Sequence, residues 1–471
     1  MAANTPTDEE VGAWLADPAG YAGNSYTTLH TLPHEQAAAL QLAGARARFA
    51  QHMVTIPMVA KLAERQGVDT IERVEDLLPL LFEHTMYKSY PQILLERLDF
   101  TSMTRWFDKL TSHDLSALDA SSRGSIDEWL TLLDSAAQLD PMFSSGTSGT
   151  MSFIPWSPHD LANNGRQHRI SRTQTFGEPP DEVLDVPFHY ATMVNRNRRD
   201  YIGTAMGLGD EKYAHVCEPE GQSADLLWLG ARLRLAAARG DASRVDVPPS
   251  LLARKAEFDQ RQHTAAQRKQ EWVDSLIELR GERLVWSAVF HAIFAIAEEE
   301  LGRGRRCAFG PGSTLYLTGG SKGQVLPDGW LETVKEFVNM PVGWFYGMAE
   351  VSAPAKLCTN GRYHLPPWIV PFILDPDTSR LKPRQGAQTG RYAFFDLLPT
   401  SHWGGFITGD ELEIDFDGIC TCGATSASAA FEVTRLSEKR GGDDKITCAA
   451  SPAAHAEAMN YLVETSPASR R

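Results

Sequence analysis

The feature that most constrains the fold is a change in hydrophobic period along the chain. From Pro33 the stretch EQAAALQLAGARARFAQHMVTIPMVAKLAERQG places apolar residues at helical spacing. Pro57 divides it into two helices, because proline clashes with the preceding turn. ADLLWLGARLRLAAARG and the run from Leu251 to Leu301 also read as helix, their Leu, Ala and Trp stripes as core. Later segments are shorter and bounded by Gly, Pro or Asp, as strands are: STLYLTGG from Ser313, GWFYG from Gly343, WIVPFIL from Trp368, RYAFFDLL from Arg391 and FITGDELEIDFDG from Phe406. Helices interleaved with strands predict an α/β fold, with a helical start over residues 1–140.

Charge and composition narrow the function. With 45 basic against 60 acidic residues the net charge is −15, which argues against a basic nucleic-acid-binding stripe. A small anionic substrate stays open, since a local pocket can be positive inside an acidic protein. No apolar run approaches the roughly 20 residues that span a bilayer. The polar start MAANTPTDEEVGAW lacks a signal-peptide pattern, so a cytoplasmic location is expected and the cysteines are expected as thiols.

Four segments carry chemistry. FSSGTSGTMS, 143–152, interleaves hydroxyl residues with glycines, so backbone N–H groups and hydroxyls can point at phosphate oxygens. It is not a Walker loop, and composition alone also allows a Ser/Gly linker. LYLTGGSKGQ, 315–324, ends a strand in Gly319 and Gly320, where a planar ring or a phosphate can approach closely. In WFYGMAEVS, 344–352, Tyr346 can stack on a base, and Glu350 can hold Mg²⁺ beside a triphosphate; a surface Glu after a strand is the plainer reading. In ITGDE, 407–411, Asp410 can accept both hydroxyls of a ribose, although turn aspartates are common.

Taken in this order and spacing, the four segments resemble the adenylate-forming superfamily of acyl-CoA ligases, luciferases and adenylation domains. SSGTSGT is similar to its phosphate loop, YGMAE to its YG-x-[ST]-E segment and TGD to its ribose-binding segment. The resemblance spans residues 30–440 and is nearest to phenylacetate–CoA ligases and the acyl-protein synthetases of bacterial bioluminescence. It implies the superfamily's large N-terminal domain over residues 1–435, with mixed sheets flanked by helices. It also implies a truncated tail, 436–471, in place of a C-terminal domain. The implied reaction activates a carboxylic acid with ATP as acyl-AMP, releases pyrophosphate, and passes the acyl group to a thiol (CoA or a carrier protein) or an amine. A carrier protein or partner domain acting in trans is one implied partner; a catalytically degenerate homologue acting as a binding partner or scaffold is the alternative.

Carried over by position, Ser144, Ser145, Gly146, Thr147, Ser148 and Gly149 would hold the triphosphate. Gly319, Gly320 and Ser321 would border the adenine, with Tyr346 against it. Glu350 would bind Mg²⁺, and Asp410 and Arg435 would grip the ribose; Glu350, Tyr346 and Arg435 are the implied catalytic set. Three departures stand out. The loop continues Thr150-Met151-Ser152 without a lysine, Ala349 replaces a small hydroxyl residue, and Ser321 stands where many relatives place an acid. The acid pocket is expected to involve Phe188, His189, Tyr190 and Gly347; for His189 a packing role is the plainer reading.

Cys358 and His364, separated by five residues, and the later Cys420 and Cys422 supply three thiolates and an imidazole, a donor set that suits tetrahedral Zn²⁺. Phenylacetate–CoA ligase relatives resemble the chain in this placement. The competing reading is two unrelated buried cysteines plus a surface pair. Cys217 and Cys307 read as core, and Cys448 in the tail as an incidental thiol, with self-acylation there the sharper alternative.

Overall fold

The computed structural model describes residues 5–144, 150–176, 188–193, 214–217, 223–238, 247–319 and 326–436. The chain divides into two compact units: the first gathers residues up to Ser144, Thr150–Asn164 and Met348 onward, the second Ser145–Gly149 and Gly165–Gly347. In chain order the strands are β1 (Phe82–Glu83), β2 (Met142–Ser144), β3 (Ser152–Ile154), β4 (His189–Thr192), β5 (Ala214–Val216), β6 (Leu284–Val289), β7 (Thr314–Thr318) and β8 (Val342–Tyr346). They continue with β9 (Ala355–Leu357), β10 (Arg362–His364), β11 (Ile369–Leu374), β12 (Ala387–Asp396), β13 (Gly405–Asp415), β14 (Ser428–Ala430) and β15 (Thr434–Arg435). The α/β class predicted from the period change is the class observed.

In the first unit, β11, β12, β13, β14, β10 and β9 neighbour one another in that order and pair antiparallel, while β1 pairs parallel to β13. Pro371 lies in β11, the edge strand, where a missing N–H leaves no central ladder bond unmade. The helices His34–Thr55 and Pro57–Gln66 meet at the proline, as their sequence predicts; Pro57 occupies the first turn and Gly67 closes the second helix at φ 66°.

The second unit is a parallel sheet in the order β5, β4, β6, β7, β8. One face carries Ala191, Trp286, Leu315 and Leu317 into a core with Trp272, Ile293 and Phe337. Cys307 is buried there, whereas Cys217 is only half-buried against it.

The helical reading of Leu251–Leu301 needs correction. Helices Pro249–Ala253 and Lys255–Glu278 are followed by strand β6 and only then by the helix Phe290–Gly302. The break lies at Gly281, at φ 80°, and LVWSAV then supplies the β-branched and aromatic residues of a buried strand. Likewise β1 interrupts the helical start. Among the described residues no helix is long and apolar enough to cross a membrane.

Candidate functional site

The TGD segment sits in an irregularity of β13. One residue, Tyr392, separates Arg391 from Ala393 on β12, while Thr408, Gly409 and Asp410 separate their partners Ile407 and Glu411 on β13. Such an insertion bends a strand and re-aims a side chain. The bulge is held from both sides. The Thr408 hydroxyl donates to the Tyr392 carbonyl at 2.7 Å and accepts from the Asp410 N–H at 3.1 Å. Fully buried Arg391 donates to the Thr408 carbonyl at 2.7 Å and pairs with Glu83 of β1 at 2.7 Å. A buried charge pair of this kind fixes geometry more than it stabilises.

Asp410 is buried, and β15 places Arg435 opposite it; the Arg435 Nε lies 3.0 Å from Asp410 Oδ1. The guanidinium passes over Gly409, where an added Cβ would stand 3.7 Å from Nη1. Because the arginine side chain is 57% exposed, the pair opens toward solvent and offers an acceptor and donors to a ligand.

Glu350 belongs to the same unit. Burial pushes its carboxyl up to about 7, Arg435 and Lys88 pull it back, and Asp410 adds to the rise. Its backbone is pinned. The Trp156 indole donates to the Ala349 carbonyl at 2.9 Å, and Asn164 donates to the Ser352 carbonyl at 2.6 Å. Asp396 accepts from the Ser352 N–H at 2.6 Å and from its hydroxyl at 3.0 Å, and burial raises the Asp396 carboxyl to about 6. The hairpin of β2 and β3 pairs Ser144 with Ser152 at the root of the Ser/Thr/Gly loop. Ser145, Gly146, Thr147, Ser148 and Gly149 lie outside the described residues, as do Gly320, Ser321 and Cys448.

In the second unit, Gly319 follows β7 at φ 96°, and Tyr346 ends β8. The pairing of Leu317 with Trp344, continued two residues, sets Gly319 beside Tyr346 at the carboxyl edge of the parallel sheet, where such sheets bind ligands. Exposed Gly347 follows Tyr346. Phe188 and His189 stand at the opposite, amino edge: His189 is level with Leu284, six rows or about 20 Å from the level of Gly319. Their expected place in one pocket with Gly347 therefore does not match this unit. Instead His189 Nδ1 lies 2.9 Å from His215 Nε2, and Phe188 and Tyr190 are buried.

The Cys/His cluster forms as its spacing suggests. One ligand atom from each of Cys358, His364, Cys420 and Cys422 lies within 4.8 Å of all the others. The sulfurs of Cys358 and Cys420 are 3.9 Å apart, near the roughly 3.8 Å edge of a ZnS₄-type tetrahedron, and Cys422 Sγ is 3.1 Å from His364 Nε2. Two turns present the thiols. Asn360 N–H points at Cys358 Sγ at 3.4 Å, and Gly423, at φ 95°, donates to the Cys420 carbonyl at 2.8 Å. Burial lowers the His364 ring below its ordinary value, so it is neutral, as a metal ligand must be. The donors present fit zinc.

Sequence reasoning missed Glu83, Arg391, Asp396 and Trp156. Arg391 and Asp396 had a visible signal: two charges bracketing the apolar run YAFF.

No protein-family model matches the chain, and no curated protein matches it. Solved structures do. The N-terminal subdomain of NpsA from Klebsiella oxytoca, in complex with 3-hydroxyanthranilyl-AMSN, is similar at 10% identity and a TM-score of 0.32, over 62% of this chain and 63% of that one. A long-chain-fatty-acid-CoA ligase (FadD1) from Archaeoglobus fulgidus is similar at 11% identity and a TM-score of 0.33, over 64% and 52%. ATP-bound MatB from Rhodopseudomonas palustris is similar at 12% identity and a TM-score of 0.32, over 83% and 72%. The chain thus spans about half to under two thirds of the first of these structures. At such scores the likeness assigns no residue a role.

Proposed function

We propose that the protein activates a carboxylic acid as its acyl-adenylate at the expense of ATP and then transfers the acyl group to a thiol or amine. The observation that carries this reading is the Asp410–Arg435 pair, held at 3.0 Å in the β13 bulge of the unit that also contains Glu350.

A carboxylate oxygen of the acid forms a bond to the α-phosphorus of ATP. The bond from that phosphorus to the bridging oxygen of the β-phosphate breaks, and pyrophosphate leaves with the electron pair. Chemistry of this kind needs positioning and charge neutralisation rather than a nucleophilic side chain. Asp410 accepts from the ribose hydroxyls, and Arg435 fixes the Asp410 rotamer while donating to the nucleotide. The loop 144–149 supplies N–H and hydroxyl donors to the phosphates. Gly319 leaves room for the adenine and Tyr346 offers it a stacking face. Glu350 would hold Mg²⁺, which would neutralise phosphate charge; a half-buried carboxylate that feels the charge of Asp410 is suited to a hard cation. Cys358, His364, Cys420 and Cys422 would hold one zinc whose role is structural, since four protein ligands leave no open position.

The reading is tested by mass spectrometry of products after incubation with ATP, Mg²⁺ and a panel of aryl and fatty acids. Acyl-AMP and pyrophosphate are expected for at least one acid. ATP bound but never cleaved, across the panel, would instead favour a non-catalytic binding role.

A further inference from the structure

The bulge that aims Asp410 lies where two short strands meet β13. β1 is in register with Phe406 and Ile407 before it, and β15 with Asp410 and Glu411 at its far end. Thr408 and Gly409 stand in register with none of β1, β12 and β15, so side chains must fix their course. Arg391 supplies the hold. Its Nε donates to the Thr408 carbonyl at 2.7 Å, and its Nη2 donates to Glu83 Oε2 at 2.7 Å. Nη1 faces Glu83 Oε1 at 3.4 Å, so the carboxylate meets the guanidinium with both oxygens, which fixes its orientation. His84 Nδ1 lies 3.3 Å from Nη2 and 3.5 Å from Glu83 Oε2. Arg391 and Glu83 are both buried. Beyond Thr408 the chain of contacts continues: its hydroxyl accepts from the Asp410 N–H at 3.1 Å, and Asp410 meets Arg435 at 3.0 Å. All of these residues belong to the first unit.

We propose that Glu83 is a positioning residue for nucleotide recognition: by fixing the Arg391 guanidinium on the Thr408 carbonyl, it sets where the Asp410 carboxylate meets the ribose hydroxyls. This rests on the adenylation reading. Burying two charges costs desolvation that their attraction only about offsets, so apolar residues of similar volume would hold the fold as well. What the charges add is direction, since a leucine and a methionine would fill the space without gripping a carbonyl.

The test compares binding of ATP and of 2′,3′-dideoxy-ATP, which lacks the hydroxyls that Asp410 would accept from. Titration calorimetry is run on wild type, Glu83→Asp, Glu83→Gln and the double variant Glu83→Leu/Arg391→Met. Wild type is expected to favour ATP by about a hundredfold, the worth of two charge-assisted hydrogen bonds. Glu83→Gln and the double variant should cut that preference to about tenfold or less while keeping dideoxy-ATP within about threefold of wild type. Glu83→Asp, which keeps the charge on a shorter stem, should retain part of the preference. The double variant leaves no buried charge without its partner, so it serves if Glu83→Gln does not fold. The wild-type preference for ATP in a folded variant would overturn the assignment. So would an equal loss of both ligands, which would mean that the pair supports only the fold. A wild type that binds ATP and dideoxy-ATP equally would remove Asp410 from the ribose, and so overturn the nucleotide reading itself together with the role of Glu83.

Discussion

The two units solve the problem of placing functional groups in opposite ways. The antiparallel sheet of the first unit inserts charge into the middle of its strands. Asp410 stands in a bulge, Arg391 behind it reaches Glu83, and Asp396 ties down the turn that bears Glu350. The parallel sheet of the second unit keeps its strands apolar and offers groups at their carboxyl ends, a glycine and a tyrosine, Gly319 and Tyr346. In the first arrangement the backbone itself fixes the charged groups, and their loss should remove chemistry while sparing the fold. In the second the sheet provides shape, and substitutions should grade affinity.

The comparison is sharpened most by zinc, because the Cys/His cluster ties two turns of the first unit together. The purified protein should carry about one zinc per chain. Cys358→Ser should lose it and lower Tm by roughly 10 °C, a few kcal/mol in a unit of this size. Elemental analysis and calorimetry check both; metal-free protein with the melting temperature of the zinc-loaded form would remove the site.

Glu350→Gln should cut the adenylation rate about tenfold or more and raise the Mg²⁺ concentration needed for half-maximal rate, since glutamine keeps the shape but lacks the charge a hard cation favours. A matching Mg²⁺ titration in wild type and variant would take Glu350 out of the metal site.

In the second unit, Gly319→Ala should cost about 1 kcal/mol of stability and weaken nucleotide binding only a few-fold. Gly319 has φ 96°, and a Cβ there would meet Val289 Cγ1 at 3.0 Å, a side chain that can give slightly. Total loss of ATP binding in a folded variant would mean that this glycine does more than leave room.

The smallest effect concerns pH. His52 is fully buried in the first unit against Trp403; burial first, and then Arg48 and His402, push its pKa down to about 3. The unfolded chain takes up this proton near 6.5, so the contribution of His52 is fully present above that pH and is lost progressively as pH falls toward 3. Between pH 7.5 and 5.5, urea unfolding of wild type should lose about 1 kcal/mol more than that of His52→Leu. Equal losses would show that His52 is not neutral in the fold.

What was legible in the sequence follows the same division. Strands β7, β8, β11, β12 and β13 were visible because Gly, Pro or Asp bound them, and Pro57 marked a helix junction. The Asp410–Arg435 pair was legible as TGD and a following arginine, and the Cys/His cluster as the placement of Cys358, His364, Cys420 and Cys422. Strand β6 was hidden, because LVWSAV runs into the apolar helix that follows and only Gly281 marks its start. The supporting charges were hidden for another reason. Arg391 and Glu83 are 308 residues apart in sequence and meet only because β1 joins β13 in parallel, a pairing that no local pattern announces.

The charged pair in the β13 bulge is proposed to grip a nucleotide for adenylation. ATP–pyrophosphate exchange tests it most directly, measured with the acid panel in wild type and in Asp410→Ala. Exchange is expected in wild type with at least one acid. A loss of about a hundredfold or more is expected in Asp410→Ala, from two charge-assisted hydrogen bonds worth about 3 kcal/mol together. The Tm of the variant should stay near that of wild type, since the Arg435 left behind is 57% exposed and remains solvated. Exchange at the wild-type rate in a folded Asp410→Ala protein would contradict the account.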